Sequence, residues 1–156
     1  MRKYPLSPHV VAGLTLIEVM VAIAIIVVAA AIALPSYSSY QDRAKISQAV
    51  TDIGAINAKL RLYMVDNTVP PPSLAAIGES GKRDPWGSAY QYTDLTTAGI
   101  SKARKNKNLV PINSDFDLWS NGKDGLSKLP LTTKVSRDDV ILANDGRFIG
   151  LASNYE

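Results

Sequence analysis

The chain has 156 residues, with 17 basic and 14 acidic side chains, no cysteine and one histidine, His9. The lack of cysteine excludes a disulfide framework and thiol chemistry. The net charge of +3 is small, so it gives weak support for a nucleic-acid partner, and none is expected.

A long apolar stretch follows a short basic segment at the start of the sequence. After Gly13, every residue of 14–34 is apolar except Thr15 and Glu18. A helix of this length is about 30 Å long, which matches the hydrocarbon core of a bilayer. A carboxylate within such a helix costs about 2.5–3.5 kcal/mol on insertion scales, so Glu18 indicates a function and requires a partner.

Three interpretations of this stretch are open. In the first it is a secretory signal peptide, with Ala31 and Ala33 at a small-residue cleavage site. In the second it is a plain membrane anchor, which leaves Glu18 unexplained. In the third the chain is cut after Gly13, and Leu14 becomes a new amino terminus one helical turn from Glu18. The length of the apolar stretch and its internal carboxylate argue against the first interpretation.

The pattern becomes amphipathic beyond Pro35, which removes one helical hydrogen bond and predicts a kink. Apolar residues then recur at spacings of three and four: Ile46, Val50, Ile53, Ile56, Leu60 and Met64. This pattern predicts one face of a helix packed on a core. Three prolines at 70–72 cannot continue it. We expect one helix from about Thr15 to about Asp66, its first half in a membrane.

Short strands are predicted in the remainder. Ranges 89–95, 115–120 and 148–151 fit strands, whereas 140–143 fits either a strand or a short helix. In the second strand, Phe116 and Leu118 would share one face and Asp117 and Trp119 the other. The expected fold class is α+β: a long N-terminal helix packed on a small antiparallel β-sheet, with a loop-rich C-terminal region.

The range 96–114 shows no period and predicts a loop. It carries a basic cluster formed by Lys102, Arg104, Lys105 and Lys107. The cluster fits a solvated surface, and the alternatives are a contact with another subunit or an anionic ligand.

The residues of this sequence offer little support for a catalytic function. His9 lies in the segment that cleavage after Gly13 would remove, so neither His nor Cys remains for a His- or Cys-based triad or a zinc cluster. Asp115 and Asp117 would point to the same face of a strand, where we expect solvated carboxylates. We therefore do not expect an enzyme.

The residues 13–18 read Gly-Leu-Thr-Leu-Ile-Glu, and Pro35 follows the long apolar stretch. This pattern resembles the class III signal of the type IV pilin and pseudopilin superfamily, although Leu14 stands where the family more often has Phe. The range 84–92 reads Asp-Pro-Trp-Gly-Ser-Ala-Tyr-Gln-Tyr, and 115–125 reads Asp-Phe-Asp-Leu-Trp-Ser-Asn-Gly-Lys-Asp-Gly. Both are similar to the major pseudopilin of type II secretion systems.

The resemblance implies three segments: a cleaved leader peptide at 1–13, a transmembrane and filament-core helix at 14–36, and a periplasmic globular domain at 37–156. It implies a structural subunit of a periplasmic pseudopilus-type helical filament that supports type II protein secretion. The subunit would cross the bacterial inner membrane once. A prepilin peptidase would cut after Gly13 and methylate Leu14.

The implied partners are other copies of the chain in a helical homopolymer, minor pseudopilins, and an inner-membrane assembly platform with its cytoplasmic ATPase. Glu18 would pair with the amino group of Leu14 on a neighbouring subunit, and Pro35 stands at the spacing that the family uses. One alternative is a type IV pilus subunit for adhesion, motility or DNA uptake. Another is a membrane-anchored binding module that uses the basic loop.

A calcium site is also implied, because the major pseudopilins bind calcium in a C-terminal loop. The matching ligands are Asp124, the carbonyl of Asn121, and the pair Asp138 and Asp139, although 126–137 is longer than expected. Calcium takes six to eight oxygen ligands, which clustered carboxylates can supply. The alternative is that Ser136 caps a helix whose first turn carries the acidic pair.

Overall fold

The computed structural model describes residues 13–155, and within the first helix it describes the backbone but not the side chains of residues 33, 35 and 36. The predicted leader up to residue 12 therefore lies outside the described residues, as does the side chain of Pro35. The chain divides into two compact units, one ending at Tyr40 and the other beginning at Gln41. The predicted boundaries of leader, membrane helix and globular domain stay predictions.

The long helix, α1, is continuous over Leu16–Asn67, a span of 52 residues. The expected limits are confirmed to within one residue at each end. Pro35 does not end the helix, and a kink there stays a prediction. At the carboxyl end, the Asn67 side-chain amide donates to the carbonyl of Tyr63 at 2.9 Å. Thr68 then has a φ of +62°, which leaves the right-handed helical region before the prolines begin.

The sheet is antiparallel with four strands in sequence order: β1 (Gln91–Asp94), β2 (Phe116–Ser120), β3 (Val140–Ala143) and β4 (Phe148–Leu151). The range 140–143 is thus a strand, which decides between the two structures that its sequence allowed. Its register sets Trp119 opposite Ile141 in β2 and β3. A turn in which Asn144, Asp145 and Gly146 all have positive φ then joins β3 to β4.

The predicted apolar face of α1 packs on one face of the sheet. Four of its residues are fully buried: Ala49, Ile53, Ile56 and Leu60. They form a core with Tyr90, Phe116, Leu118, Val140 and Leu142. Each fully buried aliphatic side chain contributes about 1.5–3 kcal/mol. This packing confirms the α+β fold and the predicted inward face of β2.

The other face of the sheet carries a second core, which the sequence pattern did not predict. It is built mostly by residues outside the strands: Ile112, Leu131, Ala152 and Tyr155, packed with Ile141 and Ala143 of β3. Because both faces of the sheet are covered, Asp117 is fully buried. The prediction that Asp115 and Asp117 are both solvated is therefore wrong for Asp117.

The range 96–114 is also more ordered than predicted. A one-turn helix, α2, occupies Leu95–Ala98, and a 3₁₀ helix follows at Ile100–Lys102. The carboxylate of Asp94 caps α2, because it accepts from the backbone N–H of Thr96 at 2.9 Å and from the Thr97 hydroxyl at 2.7 Å. These bonds fix the path of the chain from β1 into the loop.

Candidate functional site

The first turn of α1 is held by a cap. Thr15 precedes the helix, and its Oγ1 accepts a hydrogen bond from the backbone N–H of Glu18 at 3.3 Å. The Val19 N–H reaches the Thr15 carbonyl at the same distance. Thr-Leu-Ile-Glu is the sequence pattern of a capping box. The capping role of Thr15 was therefore predictable from the sequence, although it is not among the roles predicted above.

Glu18 is exposed in the first turn of α1. A negative charge is favourable there because the N-terminus of a helix carries a partial positive charge. Within the described part of the chain, its carboxylate has no hydrogen-bond or ion-pair partner. Leu14, four residues earlier in the chain, is also exposed. The roles predicted for Gly13, Leu14, Glu18 and Pro35 in processing and assembly stay predictions.

The apolar part of α1 is not covered by other residues of the described range 13–155. The large apolar side chains between Leu14 and Leu34 are exposed, with Leu16 at 81% and Ile32 at 71%. By length and composition, one helix of the described residues could cross a membrane, and it contains this stretch. An exposed apolar surface of this extent indicates contact with lipid or with other proteins, which fits membrane anchoring.

In the second unit, the two motifs that resemble the pseudopilins meet at one place. The buried Asp84 carboxylate accepts from the backbone N–H groups of Trp86 and Ser88 at 3.1 and 2.8 Å. Its second oxygen accepts from the Ser120 hydroxyl at 2.5 Å. Ser120 Oγ in turn accepts from the Gly122 N–H at 3.1 Å. The Asp-Pro-Trp-Gly turn is thereby tied to the end of β2.

The turn after β2 brings together two of the predicted calcium ligands. The Asp124 N–H donates to the Asp138 carboxylate at 3.0 Å. Gly122 packs directly on the same residue, since a Cβ built there would lie 2.2 Å from the Asp138 carbonyl oxygen. Asn121 lies in the same turn, and its side-chain oxygen accepts from the Trp119 indole at 2.9 Å.

Asp139, the fourth predicted ligand, faces a different partner. It is fully buried, and its Oδ2 accepts from Arg104 at 2.5 Å and from the Ser127 hydroxyl at 2.6 Å. Burial raises the pKa of its carboxyl to about 6, against the opposing effects of Ser127 and Arg104. Its Oδ1 is buried without a hydrogen bond to any described residue.

The predicted ligand set is therefore not gathered at one point. In the described range, no group of three or more His, Cys, Asp or Glu side chains is placed to hold a metal ion. The capping alternative is wrong, since Ser136 ends a short 3₁₀ helix (Lys134–Ser136) and its hydroxyl donates to the carbonyl of Lys128 at 2.9 Å. Calcium binding itself stays a prediction.

Arg104 corrects the prediction of a basic surface cluster. This residue is 1% exposed, although Lys102, Lys105 and Lys107 beside it are exposed. The guanidinium carbon lies 4.8 Å from the centre of the Trp119 ring. Burial lowers the pKa of Arg104, while the Asp139 charge opposes this effect. The basic loop thus offers three cations rather than four to an anionic partner.

Asp117 completes this buried network. Its carboxylate accepts from the backbone N–H of Arg104 at 2.6 Å and from the Asn113 amide at 2.8 Å. Burial raises the pKa of its carboxyl. These bonds hold the loop that carries Arg104 against β2, so the network stabilises the second core.

Comparison with known proteins agrees with these features. Residues 9–34 match the family described as the prokaryotic N-terminal methylation motif. The type II secretion system core protein G of Pseudomonas aeruginosa is 32% identical over 134 residues, which cover 72% of this chain and 84% of that protein. The corresponding protein of Dickeya chrysanthemi is 28% identical over 135 residues, with 73% and 78% covered.

A second group of relatives consists of pilins. A fimbrial protein of Neisseria meningitidis serogroup A is 28% identical over 144 residues, which cover 91% of this chain and 85% of that protein. No solved structure shows significant similarity to the chain. The names of these relatives describe secretion-system and fimbrial proteins rather than enzymes. The chain is therefore a pilin-like protein that belongs to the superfamily of type IV pilins and type II secretion pseudopilins.

Proposed function

We propose that the chain is a structural subunit of a periplasmic pseudopilus-type helical filament that supports type II protein secretion. The observation that carries this proposal is the exposed apolar half of α1 with one carboxylate, Glu18, in its first turn. Two thirds or more of the core protein G of Pseudomonas aeruginosa aligns with the chain, which supports the secretion system as the setting.

The proposed mechanism is association through α1. Before assembly, the apolar helix holds the subunit in the inner membrane with the second unit in the periplasm. In the filament the same surface packs on neighbouring helices. A head-to-tail contact that does not close into a ring generates such an open helical polymer.

Glu18 sets the register of that packing. A prepilin peptidase cuts after Gly13 and methylates Leu14, whose amino group then pairs with Glu18 of a neighbour. A subunit out of register would leave its carboxylate buried and alone, and an unpaired buried charge is strongly unfavourable. Minor pseudopilins, the assembly platform and its ATPase are the further partners of this proposal.

The experiment compares Glu18→Ala and Glu18→Gln with Val19→Ala, a control on the next residue that keeps the charge. Removing the carboxylate lowers the cost of placing the helix in lipid. We therefore expect both Glu18 variants to insert in the membrane at least as well as the parent chain. Their yield of filament oligomers, measured by crosslinking in cells, should fall well below that of Val19→Ala. Filament yields equal to the parent chain would contradict the pairing.

A type IV pilus subunit is the second candidate, because the meningococcal fimbrial protein aligns with 91% of this chain. A strain that lacks the chain separates the two. Loss of exported proteins from the medium, with surface pili unchanged, supports the secretion filament. Loss of pili or of surface motility, with export unchanged, supports the pilus.

A further inference from the structure

A groove of about 310 Å³ lies in the second unit, beside the part of α1 that follows Gln41. Three apolar side chains line it: Ile46 of α1, Trp86 of the Asp-Pro-Trp-Gly turn, and Leu151 of β4. None of the three belongs to the predicted processing or calcium residues. An apolar groove of this kind is suited to receive apolar side chains of another molecule.

The charges around the groove are unbalanced. Lys123 is neutralised by Asp42, 2.8 Å away. Lys134 and Arg137 also line the groove, and neither forms an ion pair with a described residue. Asp138 is the remaining acidic group, and one of its oxygens already accepts from the Asp124 N–H. The groove therefore combines an apolar lining with three cations and two carboxylates, which is a net charge of +1.

An apolar patch with a negative charge lies at the carboxyl end of α1. Leu62, Val65 and Val69 are 64%, 77% and 54% exposed. Asp66 is exposed among them, and its carboxylate has no ion pair within residues 13–155. Leu62, Val65 and Asp66 are spaced by three and four residues, so they share one side of the helix.

Patch and groove cannot meet within one molecule. Ile46 and Asp66 are twenty residues apart in the same helix, which separates them by about 30 Å along its axis. Two copies displaced along that axis can bring them together. Such a contact joins different surfaces of the two copies, so it repeats without closing.

We infer that the patch of one subunit (Leu62, Val65, Asp66 and Val69) docks in the groove of a second copy. The apolar residues of the patch pack on Ile46, Trp86 and Leu151, and Asp66 pairs with Lys134 and Arg137. This inference rests on the proposed function, since it supplies the contact between the second units in the filament.

Cysteine crosslinking tests the contact directly, because the chain has no native cysteine. The full-length variant Val65→Cys/Lys134→Cys is assembled in membranes and treated with a short bifunctional maleimide. The expected product is a ladder of dimers, trimers and longer species. Val65→Cys/Lys107→Cys is the matched control, with its second thiol on an exposed residue outside the groove, and it should give no ladder.

A charge exchange provides the second measurement. Asp66→Lys and Arg137→Asp each place like charges together, and each should lower filament yield about tenfold. The double variant Asp66→Lys/Arg137→Asp restores opposite charges and should recover most of the yield. Neither single change affects a hydrogen bond or ion pair that the described fold uses, so loss of folding does not explain the result.

The outcomes separate the contact from the filament. Filaments that form without a 65–134 product overturn the contact and leave the proposed function standing. Dimers from a chain with Val65→Cys alone or Lys134→Cys alone indicate contact between identical surfaces, which also overturns it. A double charge variant as defective as the single ones argues against the pairing in the same way. If the parent chain forms no filament, the proposed function fails and the contact fails with it.

Discussion

The guanidinium of Arg104 is enclosed by the Asp139 carboxylate, the Ser127 hydroxyl and the Trp119 ring. Taking two charges out of water costs several kcal/mol per ion, and their mutual attraction offsets this only with good geometry. Here the pair is incomplete, because Arg104 Nε and Asp139 Oδ1 are both buried without a hydrogen bond to the described residues. Loss of either partner is therefore more damaging than loss of both.

We predict that Arg104→Met lowers the free energy of unfolding by about 3–5 kcal/mol, because it leaves Asp139 charged, buried and without a cation. The double variant Arg104→Met/Asp139→Asn removes that charge and keeps a group that can bond Ser127. It should be more stable than Arg104→Met alone. Denaturant unfolding of the three proteins measures this, and a double variant no more stable than the single one would refute the account.

The pH dependence of stability follows from Asp139. Its pKa is raised from 3.8 to about 6 in the folded chain, so the folded state binds a proton that the unfolded state does not bind between pH 4 and 6. The free energy of unfolding should therefore increase as the pH falls from above 6 towards 4. Melting curves of the parent chain and Asp139→Asn, in chelator, check this, and equal slopes for both would contradict it.

Asp94 has the opposite effect on the free energy of unfolding, and this effect appears at lower pH. Burial acts to raise its pKa, but hydrogen bonds from Thr96 and Thr97 outweigh this and lower it. Its contribution to stability is present above the unfolded pKa and is lost as the pH falls below about 4. From these two groups together we expect the stability to be greatest near pH 4.

At the scale of single elements, the turn of residues 121–125 depends on Gly122. Its φ is +66°, and a Cβ there would lie 2.2 Å from the Asp138 carbonyl oxygen. Gly125 has a similar φ of +69°, but its nearest neighbour would be Ser88 Oγ at 3.9 Å. The two glycines thus share the backbone strain that a side chain would introduce and differ in the available space.

Gly125→Ala should destabilise the fold by about 1–2 kcal/mol, the cost of a left-handed residue that is not glycine. Gly122→Ala should cost about 1–3 kcal/mol more, because it also displaces the backbone of Asp138. Denaturant unfolding of both variants measures the difference. Equal losses would show that the turn does not pack on Asp138 as described.

Calcium binding belongs to the same turn and stays a prediction. We expect calcium to raise the melting temperature of the metal-stripped, detergent-solubilised chain. At a free concentration of one hundred times the dissociation constant, the stabilisation is about 2.7 kcal/mol. Asp124→Ala should lose the response, while Lys107→Ala, a control outside the turn, keeps it. A parent chain indifferent to both calcium and chelator would end the calcium prediction.

These elements show which parts of the fold can be predicted from the sequence. The helix was predicted almost to the residue, because its apolar period extends over many turns and prolines follow it. The range 148–151 was predicted as a strand because a glycine-containing turn precedes it. The burial of Arg104 could not be predicted, since its partner Asp139 is 35 residues away in the sequence.

The second core escaped prediction for a related physical reason. Its residues Ile112, Leu131 and Tyr155 come from separate loops without a repeating pattern. Periodicity reveals an apolar face only within one helix or strand. The same limit applies to the calcium ligands, because their assembly depends on how the range 126–137 returns to the turn after β2.

At the scale of the whole molecule, the two units differ in how their apolar residues are covered. The second unit has two buried apolar cores, one on each face of the sheet. The first exposes an apolar helix that requires lipid or other copies. Cleavage after Gly13 keeps this helix in the mature protein, whereas cleavage near Leu34 removes it. The position of cleavage therefore distinguishes a filament subunit from a protein with an ordinary signal peptide.

The mass of the mature amino terminus, purified from membranes of a host with a prepilin peptidase, tests this most directly. We predict cleavage between Gly13 and Leu14, with one added methyl group on the new terminus. Gly13→Leu should block this processing and serves as the control. A mature protein that begins near Leu34 or Pro35 would show an ordinary signal peptide, remove the apolar helix and contradict the filament.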